Sequence, residues 1–388
     1  MKKITYIALA LAGLIGTTQA AESKRLLIVT VSTGFRHSSI ELTEQVLRQL
    51  ATKSGDITVV STSESPNYPR SGLPAGWTPG LSRDQQSAVL AMNATLNPLN
   101  QQVAAARTAL TASVFAEKAD AADIRAKITA IAASDLAVAN GRAGALEKLQ
   151  ASANRLNAAQ IAAIRQPAPA GNPNGSMDLV MQEYFAPDKL KNYDGMWFIS
   201  TVGELPFPDR DAFFKWVADG HSVMGNHGAS DSMHQTPEWA KMLGGEFQRH
   251  GQQSTGAIRN FDTSHPATAK WGEVIAIHEE LYMFRPNYDR NLVHSLLTMT
   301  EGPADGRADP GAAGWFPVSW AKMYGNGKVF FTSLGHREDV VDPTWTDGSG
   351  NRQNSPEVAL AVQEHYLGGM RWALGLAAGD AKPQTAKQ

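Results

Sequence analysis

The sequence predicts an α/β protein with a doubly wound, mostly parallel sheet and an inserted α-helical hairpin or bundle. Two observations predict the sheet: short apolar, β-branched runs alternate with amphipathic helical segments, and polar glycine-rich turns follow several of these runs. A third observation predicts the insertion: an alanine-rich stretch of helical periodicity interrupts the alternation of strands and helices after the first βαβ unit. The 388 residues, 43% of them hydrophobic, suffice for one large or two medium domains.

The first βαβ unit begins with residues 25–32 (RLLIVTVS), a continuous apolar run typical of a strand that is covered on both faces. A TGFRHSS loop follows and leads into an amphipathic helix, for which Ser38 or Ser39 is a candidate N-cap. Residues 56–61 (DITVVS) complete the unit as a second strand. Such units predict right-handed crossovers between parallel strands.

The predicted helical insertion covers the alanine-rich residues 81–166. Ile124, Ile128 and Ile131 are spaced i, i+4 and i+7, which indicates two or three long antiparallel helices. The PAPAGNPNG stretch at 167–175 closes the insertion as a linker. We expect either a structural appendage or an arm that binds a protein partner or mediates self-association.

The alternation then resumes with four strands and two helices. The predicted strands are residues 195–200, 222–224, 273–278 and 328–332, and the predicted helices are residues 209–219 and 358–374. The α/β domain therefore combines residues 21–80 and 176–378, and residues 379–388 are expected to form a flexible tail.

Residues 1–20 have the features of a cleavable secretory signal. Lys2 and Lys3 precede an apolar stretch at 4–16, and small residues at 18–20 place the cleavage near Ala20. The apolar stretch is shorter than the roughly 20 residues of a membrane-spanning helix. We therefore expect a periplasmic or secreted protein with no membrane span after cleavage.

Composition excludes several classes of function. The 35 basic and 37 acidic side chains nearly balance and no Lys/Arg cluster stands out, which argues against a nucleic-acid partner. The chain has no cysteine, so disulfides, thiolate metal ligands and a thiol nucleophile are absent. No nucleotide cofactor is expected.

Three histidines follow predicted buried strands within glycine-rich turns. They are His37 in TGFRH, His227 in MGNHG and His336 in SLGHRED. Residues just beyond the carboxyl ends of parallel strands converge on one crevice, however far apart they lie in the sequence. Three imidazoles there predict a divalent metal site, with zinc as the best fit, or a metal-free acid/base centre.

The IHEELYMFR segment supplies a carboxylate to the same crevice. If it is extended, Glu280 shares a face with His278 and Tyr282, whereas Glu279 faces the other way, towards solvent. Glu280 is therefore the preferred general base or metal-ligand oxygen. Arg285 follows as a substrate-binding candidate.

Further substrate-binding candidates lie beside the histidines. Arg36 offers a planar donor fork next to His37, and Ser230 and Asp231 follow His227. The GNHG turn has the form of a nucleophile elbow with histidine at its tip, so neither thioester nor seryl-ester chemistry is supported there. Structural or surface roles are assigned to five further histidines: His234, His250, His265, His294 and His365.

These motifs resemble those of the ThuA-like, trehalose-utilisation family, whose fold is similar to class I glutamine amidotransferases. The resemblance covers residues 25–376 without the insertion. Its anchors are GFRHSSI (34–40), YDGMWFIST (193–201), GNHGASD (225–231), HP (265–266), EELYMFR (279–285), PVSW (317–320), SLGH (333–336) and YLGGMRWALG (366–375). This chain departs from the family at Glu279, where Asp is common, at Leu281, where an aromatic is common, and in its insertion.

The resemblance implies a flavodoxin-like sheet and a role in breaking down disaccharides, other glycosides or keto-glycosides. The residues that match the family pattern are His37, His227, Glu280, Tyr282 and His336. Without cysteine, the chain is not an amidotransferase. We expect an exported hydrolase, lyase or isomerase that uses metal-assisted or His/Glu acid–base catalysis.

A non-catalytic sugar-binding or scaffold protein is the alternative. In that case aromatic side chains would stack on pyranose rings in the same crevice, and the insertion would contact a partner. The candidate stacking residues are Trp197, Trp315, Trp320 and Tyr282.

Overall fold

The computed structural model describes residues 23–65, 67–68, 81–116, 118, 120–165, 175–299, 301–302 and 315–384. The expected signal at 1–20, most of the expected linker at 167–175 and the last four residues lie outside the described residues. Within the described part, no helix is long and apolar enough to cross a membrane.

A mixed nine-stranded sheet forms the centre of the α/β domain. Its strands are β1 (Lys24–Val29), β2 (Ile57–Ser61), β3 (Gly195–Ile199), β4 (Ser222–Asn226), β6 (Ser254–Asn260), β7 (Val274–Glu279), β9 (His294–Met299), β10 (Phe316–Tyr324) and β11 (Gly327–Thr332). The order is β2-β1-β3-β4-β11-β10-β9-β6-β7, and β5 (Phe247–His250) pairs with β8 (Tyr282–Phe284) in a separate ribbon.

The predicted doubly wound α/β fold is confirmed. The five strands from β2 to β11 are parallel to their neighbours, whereas β10, β9, β6 and β7 extend the sheet in antiparallel fashion. The strand predicted at 273–278 is β7, at the far edge of this extension. The carboxyl ends of β1, β4 and β11 therefore share one edge of the parallel part.

Helices cover both faces of the sheet. In the α/β domain they are α1 (Ile40–Ser54), α6 (Gly175–Phe185), α7 (Pro187–Leu190), α8 (Arg210–Ala218), α9 (Pro237–Leu243), α10 (Glu338–Val341) and α11 (Pro356–Ala373). Short 3-10 turns lie at Thr62–Glu64, His227–Asp231 and Arg290–Leu292.

The alternation of side chains along β1 explains this layering. Leu26 and Ile28 pack with α1 and α11, while Leu27 and Val29 pack on the other face with α6 and α8. All four are fully buried, as a strand covered on both faces requires. Each buried side chain of this size contributes roughly 1.5–3 kcal/mol, so the two layers fix which way the strand faces.

The described residues of the insertion form four helices: α2 (Arg83–Ala94), α3 (Asn97–Val114), α4 (Ala121–Gln150) and α5 (Ala158–Arg165). A small apolar core joins Leu81, Val89, Met92, Leu149 and Leu156. The stripe predicted around Ile128 does not belong to it, since 52% of the Ile128 side chain's accessible surface remains exposed.

The described part of the expected tail, residues 379–384, contacts the domain. Trp372 Nε1 donates to the carbonyl of Gly379 over 3.1 Å, and His294 Nδ1 donates to the carbonyl of Lys382 over 2.8 Å.

Candidate metal centre

Three imidazoles and one carboxylate converge at the carboxyl edge of the parallel strands. His37, His227, Glu280 and His336 each offer a ligand atom, and these atoms all lie within 4.8 Å of one another. The ring of His37 is 4.7 Å from that of His227 and 5.3 Å from that of His336, centroid to centroid. These four residues form the rim centre.

The loop after β1 carries His37 and is bonded to the loop after β3. The backbone amides of Thr33 and Gly34 both donate to the carbonyl of Val202, over 3.0 and 2.9 Å. Glycine is needed at the contact, because a Cβ on Gly203, whose φ is +88°, would lie 2.7 Å from the nitrogen of Gly34. The close approach of these two loops fixes the backbone beside His37.

His227 occupies the tip of the turn that ends β4. Its φ is +45°, a left-handed conformation that a non-glycine residue adopts at a cost of about 1–3 kcal/mol. Asn226 steadies the turn, since its side chain accepts from Trp197 Nε1 over 3.0 Å and donates to Ser200 Oγ over 3.3 Å. Backbone strain of this kind clusters at functional sites.

Backbone carbonyls set the tautomers of two imidazoles. His227 Nδ1 is 3.0 Å from the carbonyl oxygen of Ser333, and His37 Nδ1 is 3.3 Å from that of Ser200. A carbonyl oxygen can only accept, so Nδ1 carries the proton in both rings and Nε2 keeps its lone pair. Metal-ligating histidines are commonly oriented in this way.

Glu280 uses both of its oxygens. Oε2 lies 3.2 Å from His227 Nε2 and 3.2 Å from His336 Nδ1, while Oε1 lies 3.1 Å from His250 Nδ1. The hydroxyl of Tyr282 is 2.8 Å from His227 Nε2. Because His227 Nδ1 already holds the ring proton, the Tyr282 hydroxyl donates to Nε2.

Burial and mutual repulsion keep two of the imidazoles neutral. Burial, followed by the neighbouring His227 and His336, lowers the pKa of His37 to about 3. Burial also lowers the pKa of His227, although the neighbouring Glu280 carboxylate opposes the effect. Both rings are therefore in the form that binds a metal at neutral pH.

The pKa values of the other two members, Glu280 and His336, shift in opposite directions. Burial opposes ionisation of Glu280, but the neighbouring imidazoles of His227 and His336 outweigh this effect and hold its pKa well below the usual range. Burial likewise opposes protonation of His336, but its hydrogen bond to Glu280 and the surrounding carboxylates raise its pKa. The Glu280 carboxylate therefore faces an imidazole whose protonated form is favoured by its surroundings.

Comparison with known proteins identifies the family. The family model for ThuA, described as trehalose utilisation, matches residues 149–349. The chain belongs to the ThuA family. The matched region includes His227, Glu280 and His336, and it lies downstream of His37. None of the curated proteins matches the chain.

Two solved structures similar to the chain are described as ThuA-like. One, from Parabacteroides merdae, shares 13% sequence identity with a TM-score of 0.48, and the match covers 94% of each chain. The other, from Bacteroides uniformis, shares 20% identity with a TM-score of 0.38 and covers 50% of this chain and 74% of its own.

The position of Glu279 corrects one sequence expectation. It does not face solvent, because only 1% of its surface is exposed. Its carboxyl group accepts from the backbone amide of Glu280 over 2.8 Å and from that of Gly335 over 3.3 Å, and burial raises its pKa to about 7. Glu279 thus joins the end of β7 to the turn that carries His336.

Arg36 and Ser230 lie next to members of the centre but are engaged elsewhere. The guanidinium of Arg36 donates to the carbonyl of Thr30 and to the carboxylate of Glu41, each over 2.8 Å. Ser230 is fully buried, and its hydroxyl donates to the backbone carbonyl of His227. These contacts hold the two ligand-bearing loops and engage the Arg36 guanidinium and the Ser230 hydroxyl within the protein, whereas the sequence interpretation offered both as substrate contacts.

Asp231 and Arg285 belong to one ionic cluster beside the centre. His234 bridges the carboxylates of Asp231 and Glu246, with distances of 2.7 and 2.6 Å from its two ring nitrogens. Arg285 Nη1 lies 3.2 Å from the same Glu246 oxygen. Burial would lower the pKa of His234, but the two carboxylates raise it, so this ring is a cationic bridge.

His250 and Phe35 are site residues that the sequence interpretation missed. His250 was assigned a structural or surface role, yet it pairs with Tyr282 in the β5–β8 ribbon and contacts Glu280. The ring of Phe35 packs edge-on against His37, with centroids 4.9 Å apart. Conversely, Trp197 and Trp320 are fully buried, so neither can be a stacking surface for sugars.

Proposed function

We propose that the chain is an exported carbohydrate-processing enzyme of the ThuA type, in which the rim centre binds a zinc ion and acts on a disaccharide, another glycoside or a keto-glycoside. Membership of a family described as trehalose utilisation supports a carbohydrate-related role. The donor set of the rim centre supports the metal. Turnover of defined sugars identifies the sugar and the linkage.

One geometric observation carries the metal assignment. The distances among Glu280 Oε2, His227 Nε2 and His336 Nδ1 are 3.2, 3.2 and 3.3 Å. Four ligands arranged as a tetrahedron at zinc bond lengths of about 2.0–2.1 Å are separated by roughly 3.3 Å. These three atoms therefore already have the spacing of one face of a zinc site, with His37 as the fourth ligand.

The chemistry of the donors fits the same ion. Neutral imidazole nitrogens together with one carboxylate oxygen suit zinc better than calcium or magnesium, which prefer oxygen ligands throughout. A bound zinc ion would polarise a carbonyl group or lower the pKa of a water molecule, and with four protein ligands it would have to take that oxygen as an additional ligand.

The protein's own side chains would divide the remaining tasks. His37 and His227 are held by backbone carbonyls, so their ring orientation does not have to be established during binding. His250 Nδ1 is 2.8 Å from the carbonyl oxygen of Gly251 and 3.1 Å from the second oxygen of Glu280, and 43% of its side chain is exposed. His250 is thus placed to bind a sugar hydroxyl or carbonyl oxygen.

Turnover with defined sugars tests the proposed function. Protein stripped with a chelator and then reloaded with zinc is incubated with trehalose, p-nitrophenyl glycosides and 3-keto-glucosides, and the products are followed by NMR. We expect turnover of at least one class only after reloading, and its loss in His227→Ala and Glu280→Gln. His221→Asn is the matched control, because His221 precedes β4 at the opposite end from His227.

Two results would contradict the proposal. The first is equal turnover by the stripped and reloaded protein. The second is full zinc occupancy without consumption of any of these sugars.

Export is tested separately. The full-length chain is expressed in a Gram-negative host, the periplasm is released by osmotic shock, and the N-terminus of the product is sequenced. We expect mature protein that begins near Ala21, and an uncleaved cytosolic product would contradict export.

A further inference from the structure

Phe35 is an exposed aromatic ring in the loop that carries His37. Its side chain is 67% exposed, although phenylalanine is usually buried. Single exposed apolar residues are common on protein surfaces, so the exposure alone indicates nothing. The position is informative, because the Phe35 ring packs at an interplanar angle of 84° against a member of the rim centre.

The backbone holds Phe35 in a fixed position. Its carbonyl accepts a hydrogen bond from Ser32 Oγ over 3.0 Å, and the preceding residue, Gly34, donates to the carbonyl of Val202. A Cβ on Gly34 would lie 2.7 Å from Val202 Cγ1, so the two loops are in close contact. A ring on such a backbone needs little ordering when a ligand binds, which favours affinity.

Both an apolar and a polar exposed side chain adjoin the rim centre. Phe35 contacts His37 and provides an apolar surface, whereas His250 contacts Glu280 and provides a polar, partly exposed one. A pyranose ring has matching chemistry, because its C–H groups form an apolar face and its hydroxyls project from the edge. Aromatic rings bind such amphipathic surfaces through area burial together with the electrostatics of the π face.

We propose that Phe35 is the stacking platform for a pyranose ring and so determines specificity for cyclic sugars. This inference rests on the proposed function, since it assigns the sugar subsite of the same centre. The sugar ring packs on Phe35 with its polar edge directed towards His250 and the rim centre. Phe35 binds and positions substrate and takes no part in proton transfer.

The test compares ring and open-chain ligands in the zinc-loaded protein. Binding of trehalose, methyl α-glucopyranoside and the open-chain alditol sorbitol is measured by titration calorimetry and saturation-transfer NMR. Phe35→Ala is expected to weaken both pyranosides about tenfold and leave sorbitol unchanged, while Phe35→Trp retains pyranoside binding. Phe115→Ala is the matched control, because Phe115 is an exposed phenylalanine of the insertion.

Zinc content and the melting temperature are recorded for every variant. Unchanged zinc content in Phe35→Ala is expected, and its loss would mean that Phe35 supports His37 rather than the sugar. Equal pyranoside affinity in the wild type and Phe35→Ala, or an equal loss for sorbitol, would overturn the stacking subsite alone. If the zinc-loaded wild type binds no pyranoside, both the subsite and the proposed function fail.

Discussion

Replacing Tyr282 with phenylalanine should strengthen metal binding, although it removes a buried hydrogen bond. The Tyr282 hydroxyl donates to His227 Nε2 over 2.8 Å, and His227 Nδ1 is committed to the carbonyl of Ser333. Burial raises the pKa of Tyr282 well above its ordinary value, so the hydroxyl keeps its proton. A metal ion and this proton therefore compete for one lone pair.

The size of the effect follows from the cost of breaking that hydrogen bond. A neutral hydrogen bond contributes about 1 kcal/mol net, and a buried hydroxyl left without an acceptor costs about 1–3 kcal/mol. Phenylalanine removes this competition, so Tyr282→Phe should raise zinc affinity by at least about fivefold. The metal-free variant should lose about 1 kcal/mol of unfolding free energy.

Competition titration against a chelator measures the affinity, and urea unfolding of the stripped protein measures the stability. Tyr68→Phe is the matched control, because the buried Tyr68 hydroxyl donates to the carbonyl of Thr30 rather than to an imidazole. We expect zinc affinity to be unaffected in that variant. A Tyr282→Phe protein that binds zinc less tightly than the wild type would refute the competition argument.

Three further predictions concern protons and packing. The pKa of His336 is raised, and a histidine must be deprotonated before it binds a metal. Zinc binding should therefore release a proton, and the affinity of the protein for zinc should increase as the pH rises towards the pKa of His336. Calorimetric heats of zinc binding that do not depend on the buffer's ionisation enthalpy would argue against this prediction. Burial lowers the pKa of His365 to about 3, so between pH 3 and about 6.5 the unfolded chain binds a proton that the native protein excludes. The free energy of unfolding, measured in urea, should therefore fall by about 2 kcal/mol from pH 7 to pH 5 because of His365. An identical pH slope in His365→Gln would contradict this prediction. Gly368→Ala should destabilise the protein by about 3 kcal/mol or more, because its Cβ would lie 2.0 Å from the carbonyl oxygen of Pro266. The control Gly348→Ala has no atom within 4 Å of its Cβ and should change stability by less than about 0.5 kcal/mol. Equal melting temperatures of the two variants would show that α11 adjusts freely.

Local pattern sufficed to predict the parallel part of the fold. The run at 25–32 is apolar on both faces because β1 is covered by helices on both sides, and α1 and α11 have the amphipathic periodicity of surface helices. The strand-end positions of His37, His227 and His336 also predicted their convergence, because parallel strands bring their carboxyl ends to one edge.

The features that the local sequence pattern did not predict depend on pairing between residues far apart in the chain. The ribbon of β5 and β8 joins segments about thirty residues apart, and no local periodicity indicates that His250 will face Glu280. Glu279 looked like a solvent-facing residue because extended segments alternate, but the turn before His336 folds over it and supplies the amide of Gly335 as a donor. Alternation identifies opposite faces without showing what will cover them.

The sequence predicts that the insertion is helical, but it does not predict which faces of its helices are buried. Alanine-rich sequence supports helix formation whether or not a face is buried, so the spacing of Ile124, Ile128 and Ile131 indicated a stripe without showing a partner. Among the described residues of the insertion, the small core includes Leu81 and Leu149 but none of these three isoleucines. Intrinsic helix propensity and tertiary burial are separate quantities in such a segment.

Four side chains of the rim centre are proposed to hold one metal ion, and the metal content of the purified protein is the measurement that decides this. Wild-type protein purified without chelator is analysed by inductively coupled plasma mass spectrometry beside His37→Ala, Glu280→Gln and the control His221→Asn. The rim centre predicts about one zinc per chain in the wild type and the control, and a large loss in both ligand variants. Zinc content that is unchanged by both ligand substitutions, or a wild type that binds no zinc even after reloading, would contradict it.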